Sequence, residues 1–160
     1  MTADPGDEHI KYMECAYREA QKAFAKGETP VGAVIVKDGK VIARGGNERE
    51  AKNDPLAHAE LTAIKKASRK LASWRLSGCD IYVTLEPCPM CAGAIIQSRI
   101  GNLYYGAADP KAGACGSAVD LFAADLFNHR VQIHPGLLED KCSSILKKFF
   151  AMLRAKEIMK

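Results

Sequence analysis

Apolar residues recur at helical spacing near the start of the chain: Ile10, Met13, Tyr17, Ala20 and Phe24. This spacing predicts an amphipathic helix over residues 8–25, stopped by Gly27. Residues 1–7 are expected to form a disordered tail. Two β-rich runs, 31–37 and 41–44, flank Asp38-Gly39, which predicts a tight hairpin. Asp54-Pro55 marks a turn before a helix over 57–71. A strand over 81–85, a helix over 87–98 and a strand over 103–106 follow. A Gly-rich loop over 109–117 then leads to a short helix over 119–127. A last strand over 131–134 and a long amphipathic helix over 138–156 complete the pattern. The order αββαβαβαβα predicts an α/β fold, a three-layer sandwich of helices on both faces of a five-stranded mixed sheet.

Composition narrows the class. With 160 residues, 48% of them hydrophobic and 26% charged, the chain fits one domain over residues 1–160 with a substantial core. Such a domain buries about two thirds of its unfolded surface, so its six cysteines are not needed as disulfide staples. The polar, acidic first residues do not read as a signal peptide, and no run approaches the roughly 18 apolar residues of a membrane span. A cytoplasmic location is expected, where cysteines stand as thiols or metal thiolates.

The net charge of +4 is unevenly spread. Residues 141–160 hold six basic residues and one acid, so that segment carries +5 and the remainder sums to −1. A second run, Lys65, Lys66, Arg69, Lys70 and Arg75, contains no acid. Solvated helix faces explain both runs; a footprint for a polyanion such as RNA is the sharper reading.

Two short motifs carry the candidate chemistry. His58-Ala59-Glu60 and Pro87-Cys88-Pro89-Met90-Cys91 each fall at an expected helix start. Cysteines three apart in a first turn share one face. The unpaired N–H groups and partial positive charge of a helix start favour the thiolate that zinc binds. Two thiolates and an imidazole make three protein ligands, the number that leaves a catalytic zinc an open position for water. Glu60, two residues from the ligand His58, is placed to move protons. Either motif alone is weak, since a lone Cys-x-x-Cys is also a redox pair and a lone His-x-Glu an ordinary helix start. Together they predict a zinc-dependent hydrolytic deaminase, with Zn²⁺ expected on His58, Cys88 and Cys91 and Glu60 expected to be catalytic. Cys15 and Cys142 fall on apolar helix stripes and read as core. His9 and His134 read as surface or edge residues.

The chain resembles the bacterial tRNA-specific adenosine deaminases of the cytidine deaminase-like zinc superfamily. The resemblance runs from Pro30-Val31-Gly32-Ala33-Val34 through His58-Ala59-Glu60 and Thr84 to Ala94. It continues through Ser98-Arg99-Ile100, Gly106 to Asp109, Gly113 to Ser117 and Phe127-Asn128-His129-Arg130, and ends at Phe149-Phe150 and Leu153-Arg154. It implies hydrolysis of adenosine to inosine at the wobble position of a tRNA anticodon, by a homodimer, without a nucleotide cofactor. The reacting base is flipped out of its stack, as in zinc nucleobase deaminases generally, adenine deaminases of this lineage included. It further implies that Asn47, Asp109 and Asn128 contact the substrate, that Arg154 touches the anticodon loop, and that the Cys88 backbone N–H steadies the developing oxyanion. Two other readings stay open at this point. One is a deaminase of free guanine or cytosine. The other is a non-catalytic, zinc-stabilised RNA-binding module, which would need a fourth protein ligand from Cys115 or His129.

Overall fold

The computed structural model describes residues 5–123, 125 and 127–158. Its elements are α1 (Pro5–Ala25), β1 (Gly32–Lys37), β2 (Lys40–Gly46), α2 (Arg49–Lys52) and α3 (Ala59–Leu71). They continue with β3 (Cys79–Leu85), α4 (Pro89–Gln97), β4 (Asn102–Ala107), β5 (Gln132–His134) and α5 (Glu139–Ile158). The strands form one five-stranded sheet in the order β2-β1-β3-β4-β5. β1 is antiparallel to both β2 and β3, whereas β3, β4 and β5 run parallel. The sheet is therefore mixed, as the alternation of elements predicts.

Alternation along the strands builds two cores. Ala33, Ile35, Ile81, Val83, Leu103 and Tyr105 face the stripe Ala59, Ala63 and Ala67 of α3 and Ile95 and Ile96 of α4. On the opposite face Val34, Val36 and Tyr82 meet Tyr12, Met13, Cys15 and Ala16 of α1 and Cys142 of α5. Helices thus cover both faces of the sheet, the expected three layers.

The small residues set how closely these layers approach. A Cβ on Gly32 would land on the carbonyl oxygen of Ala16 in α1. One on Gly45 would sit 2.5 Å from the carbonyl oxygen of Ala59, at the start of α3. The end of β2 is thereby pressed against the first turn of α3, where His58 and Glu60 lie. Asp38 and Gly39 both take positive φ, 51° and 73°, the geometry a two-residue type I′ hairpin needs.

Three local expectations need correction. The first helix begins at Pro5, so residues 5–7, read as tail, are helical; residues 1–4 lie outside the described residues. A four-residue helix, α2, has no counterpart in the sequence reading and buries none of its side chains. The short helix over 119–127 does not form among the described residues. There Gly113 O accepts from Ala118 N–H and Val119 N–H, and Leu121 N–H donates to Ala114 O. The Asp120 carboxylate accepts from Phe122 N–H and Ala123 N–H, giving the backbone a turn in place of a helical ladder. Leu121, Phe122 and Phe127 pack against the core from this irregular segment.

Candidate active site

The site forms where α3 and α4 begin. His58 occupies the N-cap of α3 in extended conformation, and Cys88 does the same for α4. Pro89 fits the first helical position of α4, where its missing N–H costs nothing and its φ is preset. Cys88 follows the end of β3 by three residues, so the site lies beyond the carboxyl ends of the parallel strands, the usual ligand crevice of open α/β sheets.

His58 Nδ1 lies 3.6 Å from Cys88 Sγ and 3.4 Å from Cys91 Sγ. All three ligand atoms lie within 4.8 Å of one another. Ordinary Zn–S and Zn–N bonds meeting at a tetrahedral angle put N and S about 3.6 Å apart. The donor set and its spacing therefore fit zinc without rearrangement. Among the described residues no other His, Cys, Asp or Glu joins this cluster. His129 Nε2 instead lies 2.7 Å from Ile100 O, at the other end of α4. Cys115, whose thiol pKa is pushed up by burial, stands in the loop after β4. Three ligands and an open fourth position remain.

The thiols divide the work of ionisation before any metal arrives. The hydrogen bond from the Cys91 side chain, helped by His58, brings the Cys88 pKa down to about 4. Cys91 is pushed up, first by that same bond and then by burial, so it keeps the shared proton. The partner thiol thus contributes more than the helix start that the sequence pointed to. The Cys88 sulfur in turn raises the His58 pKa against the opposing effect of burial. Glu60 is 4% exposed, and burial lifts its pKa to about 7, with Cys91 and His58 pulling the other way. A carboxyl poised there both accepts and returns a proton near neutral pH.

The expected substrate residues do not all gather here. Asn47 is buried just after β2, and its Oδ1 accepts from Arg49 N–H. The adjacent Glu48 N–H donates to Ala57 O, one residue before His58, which keeps Asn47 at the rim of the site. The Asp109 carboxylate accepts from Lys111 N–H and Ala112 N–H, so it also shapes its own turn. Asn128 is exposed and precedes His129, which is tied to Ile100 at the end of α4 opposite Cys88. Arg154 is exposed on the overhanging last turns of α5. The fold thus brings His58, Glu60, Cys88, Cys91 and Asn47 together, and keeps Asn128 on another face of the same chain.

Glu86 is the residue whose role the sequence did not disclose. It is 2% exposed, yet its carboxylate collects four donors. Oε1 accepts from Asp109 N–H at 3.1 Å and Ser117 Oγ at 2.5 Å. Oε2 accepts from Cys115 N–H at 2.9 Å and Ser117 N–H at 3.3 Å. A Cβ on Gly113 would collide with this carboxylate, which explains the glycine there. Glu86 thus pins the 109–117 loop to the segment bearing Cys88. Burial alone would raise its pKa; the four donors outweigh it and hold the carboxyl below its ordinary value. The available signal was a charged residue set between the end of a largely buried strand and a proline.

Fold and site together define a deaminase with a cytidine deaminase-like architecture. A family profile, MafB19-like deaminase, matches residues 7–154, and the chain belongs to that family. It is 47% identical to a tRNA-specific adenosine deaminase of Bacillus subtilis over 146 residues, 91% of each chain. It is 48% identical to the enzyme of that name from Agrobacterium fabrum over 143 residues, 89% of this chain and 94% of the other. A solved structure from work on A-to-I editing by tRNA:A34 deaminases at the wobble position matches with TM-score 0.83 at 48% identity, covering 85% of this chain and 99% of that one. A guanine deaminase from Bacillus subtilis matches less well, with TM-score 0.61 at 35% identity over 86% and 91%.

Proposed function

We propose that this chain is a zinc-dependent hydrolase that converts adenosine to inosine at the wobble position of a tRNA anticodon. The observation that carries the chemistry is a three-ligand cluster of tetrahedral spacing with the buried carboxyl of Glu60 beside it. The choice of substrate is supported by relatives at 47% and 48% identity that bear the tRNA-specific adenosine deaminase name. The weaker likeness to a guanine deaminase supports the free-base reading less. The open fourth ligand position argues against a purely structural zinc, and so against the RNA-binding module.

His58 Nδ1, Cys88 Sγ and Cys91 Sγ would hold the ion, the two thiolates balancing its charge. When bound, zinc brings a water's pKa to about 7 and so supplies a nucleophile at neutral pH. Glu60 takes the water proton and delivers it to the ring nitrogen beside the amine, which readies the amine-bearing carbon for attack. Glu60 then takes the proton of the new hydroxyl on the tetrahedral carbon and passes it to the departing amine, so that the carbon–oxygen double bond of the product forms as ammonia leaves. The Cys88 N–H, at the mouth of α4, steadies the oxygen of the tetrahedral carbon. Asn47 orients the nucleoside from the rim, and Asp109 with its loop shapes the mouth. Asn128 and Arg154 contact the RNA outside the pocket of their own chain, from positions that a homodimer would carry towards a partner's site. Phe150 and Leu153, exposed on the last turns of α5, give such a dimer apolar surface to cover. A tRNA substrate places the work in the cytoplasm, and no helix among the described residues is long and apolar enough to cross a membrane.

Inosine formation measured on free bases, free adenosine and an anticodon stem-loop with adenosine at the wobble position tests the substrate. Turnover confined to the stem-loop and whole tRNA is expected; turnover confined to free bases overturns the reading. Glu60→Ala should retain one zinc per chain and lose nearly all turnover. Substantial deamination by that variant sinks the mechanism.

A further inference from the structure

The acid-free basic run of α3 ends on a surface the deaminase chemistry does not use. Trp74 is 55% exposed, the most exposed of the large hydrophobic side chains. The Arg75 guanidinium lies 4.3 Å from its ring centroid and that of Arg99 5.8 Å. The segment is braced, because Ser73 Oγ donates to Arg75 O and accepts from Arg75 N–H. Arg99 is braced as well, through Nη1 to Ile96 O and Gln97 O at the end of α4. Lys65, Lys66, Arg69 and Lys70 are exposed on α3 just before Trp74. Residues 61–79 contain no acid. Among the described residues none of these six cations forms an ion pair.

Six cations without an acidic partner around an exposed indole give this surface a positive potential complementary to a polyanion. Solvated lysines alone would not call for two guanidiniums held against one ring. The indole fixes them by cation–π contact, and each keeps N–H groups suited to phosphate oxygens. The location adds a constraint. Trp74 follows the end of α3 and Arg99 the end of α4, whereas the zinc ligands sit at the starts of both helices. Thirteen residues of α3 at the helical rise put the patch about 20 Å from the reacting base.

We propose that Trp74, Arg75 and Arg99, with Lys70 and Arg69, form a second RNA contact that grips the sugar-phosphate backbone of the tRNA outside the anticodon loop. Arg75 and Arg99 contact phosphates, and Trp74 positions them. This inference rests on tRNA being the substrate. It predicts that the patch strengthens capture of the substrate and takes no part in the chemical step.

The test compares whole tRNA and a minimal anticodon stem-loop, using the zinc-loaded wild type and the variants Trp74→Ala, Trp74→Phe and Lys70→Gln/Arg75→Gln. These side chains are exposed, so the fold should survive; zinc content and light-scattering mass check that. The double variant should bind whole tRNA about three- to tenfold more weakly, with the salt slope reduced by about two. Trp74→Ala should cost about two- to fivefold and Trp74→Phe should restore most of it. The loss should appear in KM rather than kcat, and should shrink on the minimal stem-loop. Unchanged affinity and salt slope for whole tRNA overturn the proposal. So does a fall in mass with Trp74→Ala, which would assign the patch to contact between two copies of the chain. Failure of the wild type to deaminate any RNA would refute the substrate reading itself, an outcome distinct from both.

Discussion

Exchanging Glu86 for glutamine alters one atom and strains the junction between the zinc ligands and the loop at the mouth of the site. The carboxylate receives four donors, two on each oxygen. An amide can keep its oxygen where Oε2 meets two backbone N–H groups, which places its NH₂ at the Oε1 position. There the Ser117 hydroxyl can rotate to accept, but Asp109 N–H faces another donor and is orphaned. One orphaned donor facing the buried carboxyl site costs about 1–3 kcal/mol, towards the lower end because Asp109 is half-buried, and loss of charge assistance at the remaining bonds adds about 1 kcal/mol. The expected destabilisation is therefore about 2–4 kcal/mol, a sizeable part of the 5–15 kcal/mol typical of a domain. Urea unfolding of the zinc-loaded proteins measures it. The same variant should raise KM for the stem-loop, because the Asp109 turn loosens, while zinc content stays at one per chain. The pH dependence has a definite sign. A carboxyl whose folded pKa is depressed stabilises fully above its unfolded pKa, near about 4.3, and ceases to as pH falls through the lowered folded value. Wild type and Glu86→Gln should therefore converge in acid when both are compared without metal. A stability difference below about 0.5 kcal/mol at neutral pH, with KM unchanged, would refute the view of Glu86 as the clamp of this loop.

Three further outcomes follow from other parts of the structure. With zinc removed, Cys88 should be alkylated first by iodoacetamide near pH 6, since its pKa of about 4 leaves it ionised, while buried Cys142 at about 12 stays inert; peptide mapping that finds Cys91 labelled before Cys88 contradicts the assignment of the shared proton. Gly32→Ala should lower stability by at least about 1–3 kcal/mol in thermal or urea unfolding, because its Cβ would meet backbone atoms of α1 that cannot turn aside. Reversing the charges of Lys147, Lys148 and Arg154 should weaken tRNA binding and flatten its salt dependence; unchanged binding would make that helix face merely solvated.

The fold was legible wherever one local rule sufficed. Asp38-Gly39 encodes its turn in two residues, since both take positive φ and the flanking runs are rich in β-branched residues. The cluster of His58, Cys88 and Cys91 was legible for a similar reason: cysteines three apart at a helix start lie on one face whatever the rest of the chain does. The segment 119–127 defeated the same logic. Leu121, Phe122 and Phe127 do pack against the core, but the backbone donors of 118, 119 and 121 are claimed by the carbonyls of Gly113 and Ala114. A periodic pattern reports which side chains are buried and not where the backbone bonds go. α2 escaped notice because four residues have no period; Glu28, 1% exposed, accepts from Glu50 N–H and ties it down from 22 residues away.

Glu28 and Glu86 show what kind of information a sequence read residue by residue omits. Each is a charged side chain almost wholly removed from water, a position that needs hydrogen bonds to be tolerable. Glu28 finds them on the backbone N–H of Glu50 in α2, and Glu86 on the N–H groups of Asp109, Cys115 and Ser117 and the Ser117 hydroxyl in the 109–117 loop. Asn47 stands two residues before α2 and Asp109 opens the 109–117 loop, and both are proposed to contact the substrate. The active site is thus built at two levels. The groups that would bind the ion and move the proton come as compact motifs, because metal geometry demands close spacing. The groups proposed to orient the nucleoside stand on segments that a buried glutamate holds in a fixed shape. Exchanging either glutamate should therefore change how well the substrate is held before it changes how the amine is removed.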